Sequence, residues 1–400
     1  AVVRLLKRRA RPSWFVIVRC QRPPFADGAI RGIAARSIRG RSAEHAVIVG
    51  LAPRMLRLRP DANNPALLDY DAAMRDASVA VSREGAELDQ YRAELTAYCY
   101  RMLGSPFEAE DAVQETLVRA WRNLDRFEGR SSLRSWLYRI ATNVSLDMLG
   151  SRERRARPMD LGPSREPVMS NLNTLPEVTW IEPVPDRLVE PEGDPAEVAV
   201  AHETIRLAFV AALQHLPPRQ RAVLILCEVL RWKAQEVAEL LETSVPSVNS
   251  ALQRARATLD SATVTPADRV DELDEADREL LDRYVQAFEA YDMSALTSLI
   301  REDATQSMPP FDLWLNGRED IFTWWLGPGI GCSGSRVIPA GAANGSPAFG
   351  QYKPSETGAG FDPWALQVLE LSNGRIVELT FFLDTDRIFP LFGLPPRLEA

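Results

Sequence analysis

Two carboxylates and an amide share one side of a segment with helical spacing. Asp111, Gln114 and Glu115 recur at intervals of three and four residues, which aligns them on one helix face. Val113 between them points elsewhere, toward a core. An exposed carboxylate and amide cluster is suited to docking on a basic surface of a protein partner, where such charges set specificity and encounter rate. The alternative is an ordinary solvated helix face.

A second group of residues has the chemistry that binds single-stranded nucleic acid. Aromatic rings stack on bases, polar groups read base edges, and cations follow phosphates. The donors are Arg130, Ser131, Ser132 and Arg134, the rings are Trp136 and Tyr138, the base-edge candidates are Asn143 and Asp147, and the cations at the end of the segment include Arg154 and Arg155. Trp136 also falls on the apolar stripe of its segment, which favours a core position for it.

A third group lies on a helix-turn-helix pattern. An amphipathic segment, 233–242, is followed by a short turn, 243–245, and a second helical segment, 246–256. Val248, Leu252 and Ala255 are predicted to face the core. The residues left for DNA are Ser247, Asn249, Ser250, Gln253, Arg254 and Arg256, and the candidates for flanking phosphates are Arg219, Arg221 and Lys233. Asn and Gln suit adenine, whereas Arg suits guanine or phosphate.

Helical elements must position the first two groups. An apolar stripe beginning at Leu88 predicts a helix that ends at Gly104, and Ser105-Pro106 predicts the start of the next one. A third helix is expected from Leu133 to Leu149. We therefore predict an all-α bundle over residues 86–157.

The rest of the chain divides by composition. Residues 158–195 are rich in proline and acids and are predicted to be a linker, and helices resume over 196–262. An acidic stretch precedes a final segment, 278–395, in which a helix is followed by strand-like runs around Asn344-Gly345 and Asn373-Gly374. Asn-Gly pairs favour hairpin turns, so an α+β domain is expected.

Charge is distributed unevenly over the 400 residues, whose formal net charge is −8. Residues 1–60 carry 14 Lys or Arg against two acids. We predict that residues 1–80 form a disordered basic extension, with an arm that binds DNA or a protein partner, or a transit peptide, as alternatives. No apolar run is long enough for a bilayer, no cysteine spacing is typical of a metal site, and free cysteines suit the cytoplasm.

The helical segments together resemble the two DNA-facing domains of a sigma-70 family factor of the extracytoplasmic-function type. The motifs are Asp111–Trp121, Arg130–Asn143, Leu216–Arg221 and the end of the helix-turn-helix at Leu252–Arg256, and the resemblance covers residues 86–260. It implies that the acidic helix binds the clamp of core RNA polymerase, that the next segment melts the −10 element, and that the helix-turn-helix reads the −35 element of promoter DNA. Asn249 and Ala251 stand where the family commonly has basic residues, which points to −35 contact mainly within holoenzyme.

The final segment resembles SnoaL-like cone domains, on the stretches 316–325 and 342–349. The expected fold class is thus two all-α sigma domains plus a C-terminal α+β SnoaL-like cone. Its aromatic residues would line a pocket or fill a core: Trp314, Trp324, Trp325, Phe381 and Phe382. The segment has no histidine, although Asp303, Asp312 and Asp384 are available as acid–base groups, and we expect no cofactor.

These resemblances predict a sigma factor without catalytic activity whose C-terminal domain modulates it. An anti-sigma protein or a small-molecule ligand is left open as a further partner, and no membrane is expected. The alternatives are a ligand-sensing helix-turn-helix regulator and a SnoaL-like enzyme tethered to DNA.

Overall fold

A computed structural model of the chain describes residues 87–129, 131–150, 154–190, 202–261, 274–356 and 358–399. The predicted basic extension, residues 1–80, and Arg130 lie outside the described residues. The helices are α1 (Arg92–Leu103), α2 (Pro106–Asn123), α3 (Leu133–Leu149), α4 (Leu207–Gln214), α5 (Pro218–Leu224), α6 (Ala234–Leu240), α7 (Val245–Ser261), α8 (Glu275–Glu289), α9 (Met293–Leu299), α10 (Arg318–Leu326) and α11 (Thr385–Phe392). The strands are β1 (Ile300–Ser307), β2 (Trp314–Asn316), β3 (Arg336–Ala343), β4 (Ser346–Pro354), β5 (Phe361–Ser372) and β6 (Arg375–Phe382).

Local sequence signals set the boundary between α1 and α2, as predicted. α1 ends at Gly104, whose φ of 74° lies in the left-handed region that glycine adopts without steric cost. α2 begins at Pro106, and the Ser105 hydroxyl accepts a hydrogen bond from the Glu108 backbone N–H at 3.3 Å. Because α3 packs on both helices, the three form a bundle.

The segment that follows the bundle, 154–190, is packed although its sequence predicted a linker. It contains one helical turn and several 3-10 turns, and Trp180, Ile181 and Val184 are buried. Its backbone polar groups form hydrogen bonds with other segments, and these bonds offset the cost of burying a chain that has no regular secondary structure. The Glu182 N–H, for example, donates to the Gly104 carbonyl at 3.0 Å.

The second helical domain contains α4 to α7. α5 continues into a π-helical turn, Ile225–Val229. α6 and α7 are joined by a short turn and form the predicted helix-turn-helix, with α7 packed on α5 and α6. The Ser244 hydroxyl accepts a hydrogen bond from the Ser247 N–H at 3.3 Å, so α7 begins one residue earlier than predicted.

The C-terminal domain is α+β, as predicted. Its sheet has the strand order β2-β1-β6-β5-β4-β3, and only the β1–β6 pair is parallel. Asn344-Gly345 connects β3 to β4, and Asn373-Gly374 connects β5 to β6. All four of these residues have positive φ, which is the type I′ turn that Asn-Gly favours in hairpins.

Successive side chains along each strand point to opposite faces of the sheet, and both faces carry buried apolar residues. One face packs on α8, α9 and α10 and forms the C-terminal domain's own core. The opposite face joins α11 and the two helical domains in a single continuous apolar cluster. Representative members of this interdomain cluster are Leu95, Leu213, Leu366, Phe382 and Phe389. The described domains therefore share a core rather than touching only at their surfaces. Within the described residues, the helices lack the combination of length and apolarity that crossing a bilayer requires.

Candidate functional site

The acidic face of α2 is arranged as the spacing predicted. Asp111, Gln114 and Glu115 are exposed, while Val113 is buried. The Gln114 amide donates to Glu110 at 3.0 Å, and Glu115 pairs with Arg119 one turn later at 2.7 Å. The exposed Asp111 carboxylate is available to a basic partner, whereas Glu115 must first separate from Arg119.

An open pocket of about 390 Å³ lies beside this face, between the end of α2 and α3. Its lining residues are Arg119, Asn123, Arg126, Trp136, Ile140 and Asn143. A neighbouring pocket of about 240 Å³ shares Arg126 and Trp136 and adds Phe127, Glu128, Ser131 and Arg139. The Trp136 ring is half-buried and packs on Phe127 with the ring centroids 5.0 Å apart. Trp136, which we expected in the core, thus separates two pockets.

Asn143 lines the larger pocket, as its predicted role requires. Asp147, one turn further along α3, is exposed and lies 3.7 Å from Arg119. Sequence reasoning missed Arg119 and Arg126. Arg119 follows Glu115 by one turn, and Arg126 lies between α2 and α3, but only the packing of α2 on α3 brings both to Trp136.

Tyr138 and Arg134 face the second helical domain instead of a pocket. Tyr138 is buried, so its predicted role as an exposed ring is wrong for this conformation. Its ring centroid is 5.1 Å from that of Trp232. Arg134 pairs with Glu94 at 2.7 Å and lies over the rings of both Tyr138 and Trp232. The side chain of Arg134 remains 43% exposed, and Ser131 and Ser132 are exposed beside it.

Two arginines predicted to follow DNA phosphates are buried instead. Arg155 is only 6% exposed and pairs with Glu108 at 2.9 Å and with Glu182 at 3.5 Å. Arg221 is 2% exposed and donates to the carbonyls of Met102 and Leu216. Burial lowers the pKa of both, that of Arg221 to about 10. In this conformation both are structural residues, which corrects the prediction.

The other basic candidates are exposed. Arg154 is exposed, and its guanidinium lies 2.6 Å from the His215 ring nitrogen Nδ1. Arg219 and Lys233 are also exposed. Lys233 is also the N-cap residue of α6.

The candidate recognition helix, α7, presents the predicted surface. Val248 and Ala255 are buried against the rest of the helix-turn-helix. All six residues assigned to DNA are exposed: Ser247, Asn249, Ser250, Gln253, Arg254 and Arg256. Arg256 pairs with Glu228 of the π-helical turn, so that pair must separate before Arg256 meets a phosphate.

The two helical domains are in direct contact. α3 packs on α5 and α6, and the Arg139 guanidinium donates to the Glu239 carbonyl of α6 at 3.1 Å. This hydrogen bond and the Tyr138–Trp232 ring contact join α3, which lines the pocket, to α6 and the residues just before it. We call this arrangement the closed conformation.

The turn between β3 and β4 inserts into the junction of the helical domains. Asn344 is 1% exposed, and its amide nitrogen donates to the Tyr100 hydroxyl at 2.7 Å and to the Ile205 carbonyl at 2.6 Å. Its amide oxygen accepts from the Val184 N–H at 2.9 Å. One side chain of the C-terminal domain therefore bonds the first helical domain, the segment after it and the start of the second.

Asp186 holds the same turn. Its carboxylate accepts from the Gly345 N–H at 3.0 and 3.1 Å. Burial raises the pKa of Asp186 to about 6, although the bond from Gly345 and nearby His202 oppose the rise.

Comparisons with known proteins give this geometry a context. Three family models match the chain: sigma-70 region 2 at residues 88–155, sigma-70 region 4 at 206–259 and the SnoaL-like domain at 281–379. The ECF RNA polymerase sigma factor SigG of Mycobacterium tuberculosis (strain ATCC 25618 / H37Rv) is 46% identical over 317 residues, which is 78% of this chain and 84% of SigG. The chain belongs to the ECF RNA polymerase sigma factors. The predicted family is thereby confirmed.

A second relative of this sigma factor has a solved structure with a similar fold. SigJ, an ECF sigma factor of the same strain, is 29% identical over 222 residues, which is 56% of this chain and 64% of SigJ. The crystal structure of Mycobacterium tuberculosis SigJ matches with a TM-score of 0.50 at 22% identity, and covers 78% of this sigma factor and 99% of that chain. The likeness supports the predicted fold class, helical sigma domains followed by a mixed sheet domain.

Large aromatic side chains are packed in the interior of the sigma factor's SnoaL-like domain. Trp324, Trp325 and Phe381 belong to its core, whereas Phe382 belongs to the interdomain cluster. Trp314, at the sheet edge, donates its ring N–H to the Gly162 carbonyl at 2.8 Å. The aromatic residues thus serve packing, in line with the core alternative.

Polar groups in this interior satisfy one another. Tyr284 donates to Gln367 at 2.8 Å, the Gln367 amide donates to Gln351 at 3.0 Å, and Gln351 donates to Ser335 at 3.0 Å. The candidate acids lie elsewhere: Asp312 pairs with Arg165 at 2.8 Å and the exposed Asp303 pairs with Arg301.

Proposed function

We propose that this sigma factor binds core RNA polymerase through the Asp111, Gln114 and Glu115 face of α2 and directs promoter recognition and transcription initiation. The exposure of all three side chains on one face supports this. Polymerase in the cytoplasm is the expected partner, with promoter DNA at the −10 and −35 elements.

The larger pocket beside α3 is the proposed site of −10 melting. A base that leaves the duplex needs a ring to stack on, a polar group for its edge and cations for its phosphate. Trp136 provides the ring, Asn143 the amide, and Arg119 and Arg126 the charges. The exposed residues of α7 would read the −35 element in the major groove.

The contact between the helical domains limits what the closed conformation can do. The −10 and −35 elements are about 25 base pairs apart, roughly 85 Å of duplex. Packed helices lie about 8–10 Å apart, and here Tyr138 touches Trp232. The pocket and α7 therefore cannot reach both elements of one straight promoter until the domains separate. This is the observation on which the proposed regulation depends.

The SnoaL-like domain is proposed to hold the closed conformation and so to restrain initiation. It shares the interdomain apolar cluster, and Asn344 bonds both helical domains and the segment between them. The packed aromatic residues of its interior, and the hydrogen bonds that link Tyr284, Gln367 and Gln351 to one another, support a regulatory role over an enzymatic one.

Run-off transcription with core polymerase tests the assignment of α2. We expect Asp111→Arg combined with Glu115→Arg to abolish core binding and transcript, because the charge complementarity is reversed. Asp282→Arg, an equally exposed charge reversal on α8, is the control. Unchanged core binding by the double variant would exclude this face.

The same assay tests the restraint. Asn344→Gly removes the side chain that joins the domains, and we expect it to raise transcript yield at low sigma factor concentration. Equal yields from the variant and the original chain would mean that the SnoaL-like domain does not restrain initiation.

A further inference from the structure

Two carboxylates face each other on the sheet surface that packs against the helical domains. Glu370 of β5 and Glu378 of β6 are directly opposite in the strand register, which places their side chains on one face at close range. Their side chains are only 11% and 18% exposed. Like charges at such a position destabilise a sheet unless cations compensate them.

One compensating cation comes from the segment that follows the first helical domain, and the other comes from the start of the second helical domain. Arg157, just after the first helical domain, lies 4.0 Å from Glu378 and also binds Asp160 at 3.2 Å. Arg206, at the start of α4, lies 3.7 Å from Glu370. The carboxylate pair therefore meets both cations when the segment after the first helical domain and the start of the second helical domain rest on the sheet.

Charge in this cluster does not balance. Among the described residues, three carboxylates (Asp160, Glu370 and Glu378) face two guanidinium groups (Arg157 and Arg206). Burying an uncompensated charge is costly, and the usual response is a proton. Thr380 and Ser307 are the polar neighbours: Thr380 bonds Glu378 at 3.4 Å, and Ser307 donates to Thr380 at 3.4 Å.

We propose that closure of the helical domains onto the sheet takes up one proton at Glu378, so that acidification favours the closed conformation and a rise in pH favours release. This regulation rests on the proposed function, in which closure restrains initiation. Three separate parts of the chain form the surroundings of Glu378 in the closed conformation.

The direction follows from burial. Burial raises the pKa of Glu378 to about 7, with Arg157 opposing the rise and Glu370 adding to it. When the domains open, Glu378 regains water and a pKa near 4.3. The preference for closure is complete below that value, weakens as pH rises, and is lost once pH passes about 7. For one proton, closure should weaken roughly tenfold between pH 6 and pH 8.

Transcription assays with the full chain and core polymerase test this. The measured quantity is the sigma factor concentration that gives half-maximal transcript, which rises as the competent fraction falls. We expect Glu378→Gln, which is neutral at every pH, to stay closed at pH 8. Its half-maximal concentration divided by that of the original chain should therefore grow about tenfold from pH 6 to pH 8. The ratio cancels any pH dependence of the polymerase. Glu302→Gln, an exposed change on β1, should give a constant ratio.

Three further outcomes are decisive. A constant ratio for Glu378→Gln, with Asn344→Gly still more active than the original chain, would overturn the proton coupling and leave the restraint intact. A constant ratio for Glu378→Gln, together with an Asn344→Gly variant no more active than the original chain, would overturn both the proton coupling and the restraint. If Glu378→Gln does not fold, Glu370→Gln removes the same excess charge, and its ratio decides the question in the same way.

Discussion

Replacing Asn344 with glycine tests the restraint most directly. The Asn344 backbone has a φ of 55°, which glycine adopts freely, so the turn itself is preserved. The side chain is lost, and with it the hydrogen bonds to Tyr100, Ile205 and Val184. The variant therefore removes interdomain bonds without disturbing the hairpin.

The size of the effect follows from those three bonds. A net hydrogen bond contributes about 0.5–1.5 kcal/mol, and a buried group left unpaired costs about 1–3 kcal/mol. The Tyr100 hydroxyl keeps its bond to the Glu182 carbonyl at 2.9 Å. Water entering the opened space will satisfy part of the rest, so we expect closure to weaken by about 2–4 kcal/mol. That shift corresponds to roughly 30- to 900-fold in the closed-to-open ratio.

The assay is run-off transcription across a range of sigma factor concentrations. We expect the half-maximal concentration to fall by up to that factor, until the chain is fully open. Small-angle X-ray scattering of the free chain should show a larger radius of gyration. Asn373→Gly is the matched control, because Asn373 occupies the same kind of Asn-Gly turn, with φ 52°, but is exposed. Equal behaviour of the two variants would refute the reasoning.

Three other predictions concern separate parts of the molecule. Arg254→Ala or Arg256→Ala should weaken promoter binding by holoenzyme and, if a phosphate contact is lost, make its salt slope shallower by about one, as measured by a salt titration. Trp136→Ala should reduce the open complex by about 5- to 150-fold, the worth of one stacked base, as measured by permanganate reactivity of −10 thymines. Arg155→Met removes a buried guanidinium that pairs with Glu108 and Glu182 and should lower the free energy of unfolding in urea by about 3–5 kcal/mol, whereas Arg154→Met, at an exposed position, should be near neutral.

Features set by neighbouring residues were predictable from the sequence. Gly104 and Ser105 mark a helix end and a helix start because their conformation and hydroxyl act within one turn. The apolar stripe of α7 likewise predicted which side faces the core, since a helix buries residues at fixed intervals. The exposed acidic face of α2 follows from the same periodicity.

Features set by distant residues were not predictable. Arg155 and Arg221 belong to basic stretches that suit DNA, yet carbonyls and carboxylates from other segments surround them. Likewise, the segment containing Trp180 and Val184 lacks periodicity, so nothing in it shows that a sheet and two helical domains will cover it.

The two Asn-Gly turns show where this limit matters for function. Asn344 and Asn373 occupy the same local conformation, and each precedes a glycine at positive φ. One amide is exposed, whereas the other is buried and bonds three segments. An asparagine that suits the turn conformation also has an amide that can donate and accept hydrogen bonds. The tip of a hairpin can therefore bond other domains without any change in its local sequence. Regulation by a fused domain can therefore arise from a residue that the hairpin already requires.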